Sequence, residues 1–202
     1  MKILKTISIF VVAALLFGAA TTVNAQKNRR EPCTVVDFYL LLPAEYLSPL
    51  SRVKNRQSLI EIKDIANGYL KLDGAATTDY WEGWAEIALF KKTGGGYVVG
   101  VVDGSCATMC YSGIEFLEYQ NGKWTEVTRQ IMPEITDRMI AAQFKRKKRA
   151  GDEDLADNDS PFVNYELPRT GKTVKLNANF AGDDNLMLFE MTWTGAKFEL
   201  KQ

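Results

Sequence analysis

The sequence predicts an α+β fold: an antiparallel β-hairpin and meander sheet with short N-terminal helices and one inserted helix. Three observations predict it. Short segments of alternating or unbroken apolar residues recur along the chain, separated by turns that carry glycine. Asn67-Gly68 and Asn121-Gly122 are turn dipeptides, and Asn-Gly between apolar segments is the strongest short hairpin signal. Helical spacing shows only ahead of the first hairpins and once between two hairpin groups.

The chain opens on a leader. Lys2 and Lys5 precede an apolar and small-residue run from Ile7 to Ala20, and Val23-Asn24-Ala25 forms a small-residue exit. A basic start, an apolar core of ~7–15 residues and such an exit make a secretory signal peptide. Residues 1–25 are therefore expected to be removed, with the cut between Ala25 and Gln26. A membrane anchor would need ~20 apolar residues, whereas this core is diluted by Thr21 and Thr22. Cys33 lies too far from the cut to carry a lipid, and no later segment is apolar enough to span. The mature chain is thus expected outside the cytoplasm, in the periplasm rather than the medium, with no membrane span.

Residues 26–33 read as a flexible lead and 34–202 as one β-rich domain. Thr34 can cap a helix that runs toward Pro43, with Asp37 in its first turn where a carboxylate suits the helix dipole. A further helical turn is expected over 44–50. Strand grammar begins at Leu59, and Tyr69-Leu70-Lys71-Leu72 alternates as a half-buried strand does. Hairpins follow around Thr93-Gly94-Gly95-Gly96, around Asn121-Gly122 and around Thr194-Gly195. They resemble one another: Tyr69–Asp73 parallels Thr173–Asn177, and Ile87–Phe90 parallels Leu186–Phe189. Internal duplication and convergence of similar hairpins both account for this. Between the groups, Ile131, Ile135, Met139 and Ala142 mark a helix over 133–148. A charged mobile loop at about 145–160 is expected after it, where Lys145 to Arg149 meets the acids from Asp152 to Asp159.

Composition excludes more than it assigns. Lys plus Arg and Asp plus Glu number 25 each, so the formal net charge is zero. No basic field is available to displace counterions from nucleic acid, which is excluded as a partner. The chain has no histidine. This removes His-dependent nucleophile systems, His general bases and His-containing zinc sites. Ser51-Arg52-Val53-Lys54 and Lys92-Thr93-Gly94 match motifs of penicillin-recognising serine enzymes, but their spacing is wrong and no Ser-Asp-Asn lies between. Lys92-Thr93-Gly94 reads as a hairpin turn. The acids after Asp152 fail the EF-hand pattern, with Ala156 at a ligand position. No cofactor and no metal is assigned.

Cys106 and Cys110 are the disulfide candidate, since an exported chain meets oxidising conditions. Pairing of Cys33 with either of them stays open, and Met109 with the two thiols could instead hold soft Cu(I). Tyr80, Trp81, Glu82, Trp84 and Trp124 are binding-face candidates. Aromatics beside acids suit a sugar cleft, and Glu82 or Glu86 could join a carboxylate pair of the kind that hydrolyses glycosides. The plainer account places Trp84 and Ile87 in the core, with Tyr80 and Trp81 over a sheet edge.

Asp37–Pro43 with Tyr46, Asn67-Gly68-Tyr69-Leu70, Ala88–Lys92 and Gly122–Thr128 together resemble a type of uncharacterised exported bacterial protein rich in β-hairpins. The resemblance spans Thr34 to Pro133 and implies the cell envelope and no activity. The expectation is a non-enzymatic binding or interaction protein whose partner is an envelope protein or a glycan. The alternative is a carboxylate-dependent hydrolase of envelope glycan.

Overall fold

The structure, a computed structural model, describes residues 31–47, 54–73, 83–106, 110–147, 161–180 and 182–201, with only the backbone of Cys106, Phe180 and 182–185. The leader, most of the expected lead and the charged stretch 148–160 lie outside the described residues.

Helix α1 is Val35–Leu41. It starts at Thr34 because the Thr34 hydroxyl accepts from the Asp37 N–H while the Asp37 carboxylate accepts from the Thr34 N–H, a reciprocal capping box. Pro43 stops it, and a 3₁₀ turn follows at Ala44–Tyr46. A second 3₁₀ turn, Arg56–Leu59, closes the other end of α1: the Arg56 guanidinium donates to the carbonyls of Tyr39, Leu40 and Leu42. Those are the carbonyls that a helix end leaves without intrahelical donors.

Six strands then form one antiparallel meander in chain order: β1 Ile60–Asp64, β2 Tyr69–Asp73, β3 Gly83–Lys91, β4 Tyr97–Cys106, β5 Cys110–Gln120 and β6 Lys123–Glu126. A short helix α2, Thr128–Ile131, and a longer α3, Asp137–Lys147, lead to a second sheet. Its strands are β7 Phe162–Glu166, β8 Thr173–Phe180, β9 Gly182–Trp193 and β10 Phe198–Leu200, ordered β10-β9-β8-β7. The predicted α+β class holds. The inserted helix begins at Asp137 rather than Pro133 because Thr136 sits at its start, its hydroxyl accepting from the Met139 N–H. The helix keeps Lys145, Arg146 and Lys147 in its last turn, where cations suit the dipole.

The first sheet is covered on both faces. Leu70, Leu72, Ala85, Ile87, Val99, Val101 and Leu117 pack beneath α1 with Val35, Phe38 and Tyr39. Tyr69, Ala88, Phe90, Val98, Val102 and Phe116 point the other way and meet Val174, Met191, Trp193 and Phe198 of the second sheet. Gly100 makes room at this contact. A Cβ there would come within 2.9 Å of both the Phe90 and the Phe116 rings. Helix α3 covers the rest of that second-sheet face through Ile140 and Phe144 against Leu176, Ala178 and Leu188.

The two meanders repeat one another. An offset of 104 residues carries Tyr69↔Ala88, Leu70↔Ile87, Lys71↔Glu86 and Leu72↔Ala85 onto Thr173↔Thr192, Val174↔Met191, Lys175↔Glu190 and Leu176↔Phe189. The same offset carries Ile62↔Lys71 onto Glu166↔Lys175. Each meander also follows a helix that starts after a capping threonine, Thr34 or Thr136. Ile87 therefore corresponds to Met191, and not to Leu186 as the sequence pattern suggests. Lining up the glycine turns slips β3 against β9, because the two hairpins end differently.

Candidate functional site

A cleft of about 600 Å³ opens where the chain leaves the first sheet. Strand β6 stops pairing at Leu117↔Glu126, and Val127 still donates to the Phe116 carbonyl. The Thr128 hydroxyl then accepts from the Phe116 N–H at 2.9 Å, and the chain turns into α2. Among the described residues, no strand pairs with Ile114 of β5 on that edge of the ladder. Strand β7 approaches instead, fixed by the Tyr165 N–H donating to the Ser112 hydroxyl at 2.8 Å. The walls are Ile114, Met132, Pro133, Ile135 and Tyr165, all partly buried, with exposed Arg129 and Glu134 at the rim. Burial alone pushes the Tyr165 phenol above its ordinary value. The cleft can bury an apolar group and hold polar atoms at its mouth.

A second groove, about 550 Å³, lies between α3 and the edge of β9 beyond β10. Its backbone is already capped: Gln143 donates to the Leu188 carbonyl and Lys147 to that of Met187. Glu190 in its lining is hydrogen-bonded by Lys201 at 2.8 Å, which pulls the carboxyl below its ordinary value and keeps it ionised. An added strand would find these carbonyls taken.

Glu86 has both carboxylate oxygens engaged within the protein. Its Oε1 accepts from the Tyr69 hydroxyl at 2.9 Å and its Oε2 from the Leu167 N–H at 2.7 Å. It is a buried tie between the sheets, and burial raises its carboxyl above the usual range against the pull of those two donors. Acids do gather elsewhere. Burial, then the charges of Glu126 and Asp103, push Glu115 upward. Burial followed by Glu45, Glu115 and Glu126 does the same to the Tyr46 phenol. Neither cleft described above is lined by Glu115, Glu126 or Asp103.

Trp84 and Trp124 are on opposite faces of the first sheet. Trp84 packs at the inter-sheet cluster over Gly104. Trp124 packs under α1, edge-on to Phe38 at 6.2 Å, and its Nε1 donates to the Leu41 carbonyl. They do not form one binding face. Tyr80, Trp81 and Glu82 lie outside the described residues. Cys106 and Cys110 stand opposite each other as the last pair of the β4–β5 ladder. Lys92 pairs with Glu118 at 2.7 Å, and Thr93 donates its N–H to the Gly195 carbonyl, so Lys92-Thr93-Gly94 is structural. Sequence reasoning missed the cleft, whose walls come from three separated segments; the helix-stopping Met132-Pro133 step was its only local trace.

No family model matches the chain, and no curated protein matches it. Among solved structures, it is similar to a domain of an uncharacterized protein from Porphyromonas gingivalis W83, at TM-score 0.51 and 11% identity. The match covers 81% of this chain and 95% of that one. The likeness is one of fold, to a bacterial protein whose own function is uncharacterised.

Proposed function

We propose that this is an exported, non-enzymatic binding protein of the cell envelope that holds an apolar side chain of a protein partner in the cleft beside Ile114 and Tyr165. The observation that carries the reading is the lining: Ile114, Met132, Pro133, Ile135 and the Tyr165 ring form the walls, and Thr128, Arg129 and Glu134 are the polar members. Ligand sites are mostly apolar with a few placed polar groups. A glycosidase needs two carboxyl groups flanking the scissile bond, ~5–10 Å apart, and Glu134 is the one acid in this lining. Of the two acids that invited a hydrolase, Glu82 lies outside the described residues and Glu86 has both oxygens engaged.

The test is saturation-transfer NMR on the chain from Gln26 onward, with two probe sets: short peptides with a central Leu or Phe, and soluble chitooligosaccharides. The peptides are expected to bind, and Ile114→Lys to remove that binding while the fold is kept. Sugar binding without peptide binding, or new reducing ends from the sugars, would favour the glycan readings instead. Export is checked separately by fractionating cells that make the full chain. The expected product is extracytoplasmic and begins at Gln26.

A further inference from the structure

We infer that Cys106 and Cys110 form a cross-strand disulfide that latches the end of the β4–β5 hairpin and, through it, the contact between the two sheets. The argument rests on which kind of pair they occupy. In an antiparallel ladder, opposed residues alternate between pairs that exchange backbone hydrogen bonds and pairs that do not. Phe116 has both backbone groups turned away from β4: its N–H donates to the Thr128 hydroxyl, and its carbonyl accepts from the Val127 N–H. Gly100↔Phe116 is therefore a pair without hydrogen bonds. The register runs unbroken through Val102↔Ile114 and Gly104↔Ser112 to Cys106↔Cys110. Each of these is two residues from the last, so Cys106↔Cys110 is the same kind.

An independent contact agrees. The Cys110 carbonyl accepts from the Asn179 side-chain amide at 3.1 Å, so it too points away from β4 and toward the second sheet. Pairs without hydrogen bonds bring opposed Cα atoms to ~4.5 Å with their side chains on one face. A disulfide spans Cα separations of ~4.4–6.8 Å. The pair is placed for bonding with no backbone movement. Cys33 is placed elsewhere: it is an exposed free thiol at the start of α1, its N–H and Sγ both directed to the Asp37 carboxylate.

The bond forms by thiol–disulfide exchange. The two thiols lose two protons and two electrons to the disulfide of an oxidant, which leaves as two thiols. In the cell the oxidant is a thiol–disulfide oxidoreductase of the exported compartment, which rests on the export proposed above. Oxidised glutathione performs the same step in the tube and does not depend on export. A short loop gains little global stability from closure. The effect is local, at a ladder end whose last pair has no backbone hydrogen bonds and whose Cys110 carbonyl ties to Asn179.

The test equilibrates the full-length protein with glutathione redox buffer, alkylates free thiols and maps peptides by mass spectrometry. The expected product joins residues 106 and 110, two hydrogens lighter than the dithiol, with Cys33 alkylated. Hydrogen exchange of amides over 104–112 and at Asn179 should quicken on reduction. The Cys106→Ser/Cys110→Ser double variant should exchange as the reduced protein does, and Cys33→Ser should not. Cys33 bonded to either partner, or all three thiols alkylated in oxidised buffer, would overturn the inference. So would exchange in the segment that is unchanged by reduction.

Discussion

Glu86 has both carboxylate oxygens engaged inside the protein, and this gives its titration a definite sign. Burial raises its folded-state value above that of the unfolded chain, although the Leu167 N–H and the Tyr69 hydroxyl pull it back. A carboxyl raised by folding binds more protons folded than unfolded across the interval between the two values. Its contribution to stability is whole below the ordinary carboxylate range and is lost as pH rises through the raised value. Glu86→Gln removes that titration while keeping one acceptor oxygen. Its amide group presents a donor where the second oxygen accepted, costing about 2 kcal/mol. Urea midpoints taken from about pH 4 to about pH 8 should show the parent losing stability relative to Glu86→Gln as pH rises. Parallel curves would mean that Glu86 does not titrate there. Asp37 has the opposite sign. The Thr34 side-chain and backbone donors hold it low, so α1 loses its cap as pH falls.

The hairpin turns are where one element constrains another. The β3–β4 and β9–β10 turns dock together: the Thr93 N–H donates to the Gly195 carbonyl, and the Trp193 indole to the Lys91 carbonyl. Gly195 adopts φ +100°, and a Cβ on it would overlap the Thr93 hydroxyl. Gly195→Ala therefore combines backbone strain with a clash and should cost about 2 kcal/mol. Gly94→Ala, in the facing turn, meets open space at an ordinary φ and should stay within about 0.5 kcal/mol of the parent. Thermal denaturation of the two variants side by side reads the difference; equal losses would contradict the docking. These turns were legible in the sequence because glycine at a turn is a local signal, as was Thr34 before α1. Strand β7 was not. Phe162-Val163-Asn164-Tyr165-Glu166 alternates only briefly after an acidic run, and the partners that make it a strand, on β8, follow a further turn. The cleft escaped for the same reason. Ile114, Met132 and Tyr165 become neighbours only once β6 leaves β5 and β7 arrives.

The repeat explains how the whole molecule closes. The first sheet presents Tyr69, Ala88 and Phe90 to the second, and the 104-residue offset places Thr173, Thr192 and Thr194 at the matching positions of the outer face. Thr173 and Thr192 pair through their hydroxyls at 3.1 Å, and Lys175–Glu166 and Lys201–Glu190 ion pairs flank them. A polar face in the place of an apolar one ends the stack, as the terminal units of repeat proteins do. Among the described residues, the apolar contact between the meanders centres on aromatic rings. Phe90, Phe116, Trp193 and Phe198 form it, with ring centroids 4.6–6.1 Å apart. Phe116 is fully buried and touches both Phe90 and Phe198. Phe116→Ala should cost about 3–5 kcal/mol. Because the ring is shared, the loss should fall on both sheets. Hydrogen exchange would show β3–β5 and β8–β10 amides weakened together, and denaturation would keep a single transition. A variant in which the first sheet alone weakens, or in which two transitions separate, would show that the meanders are stable apart and that this contact does not couple them.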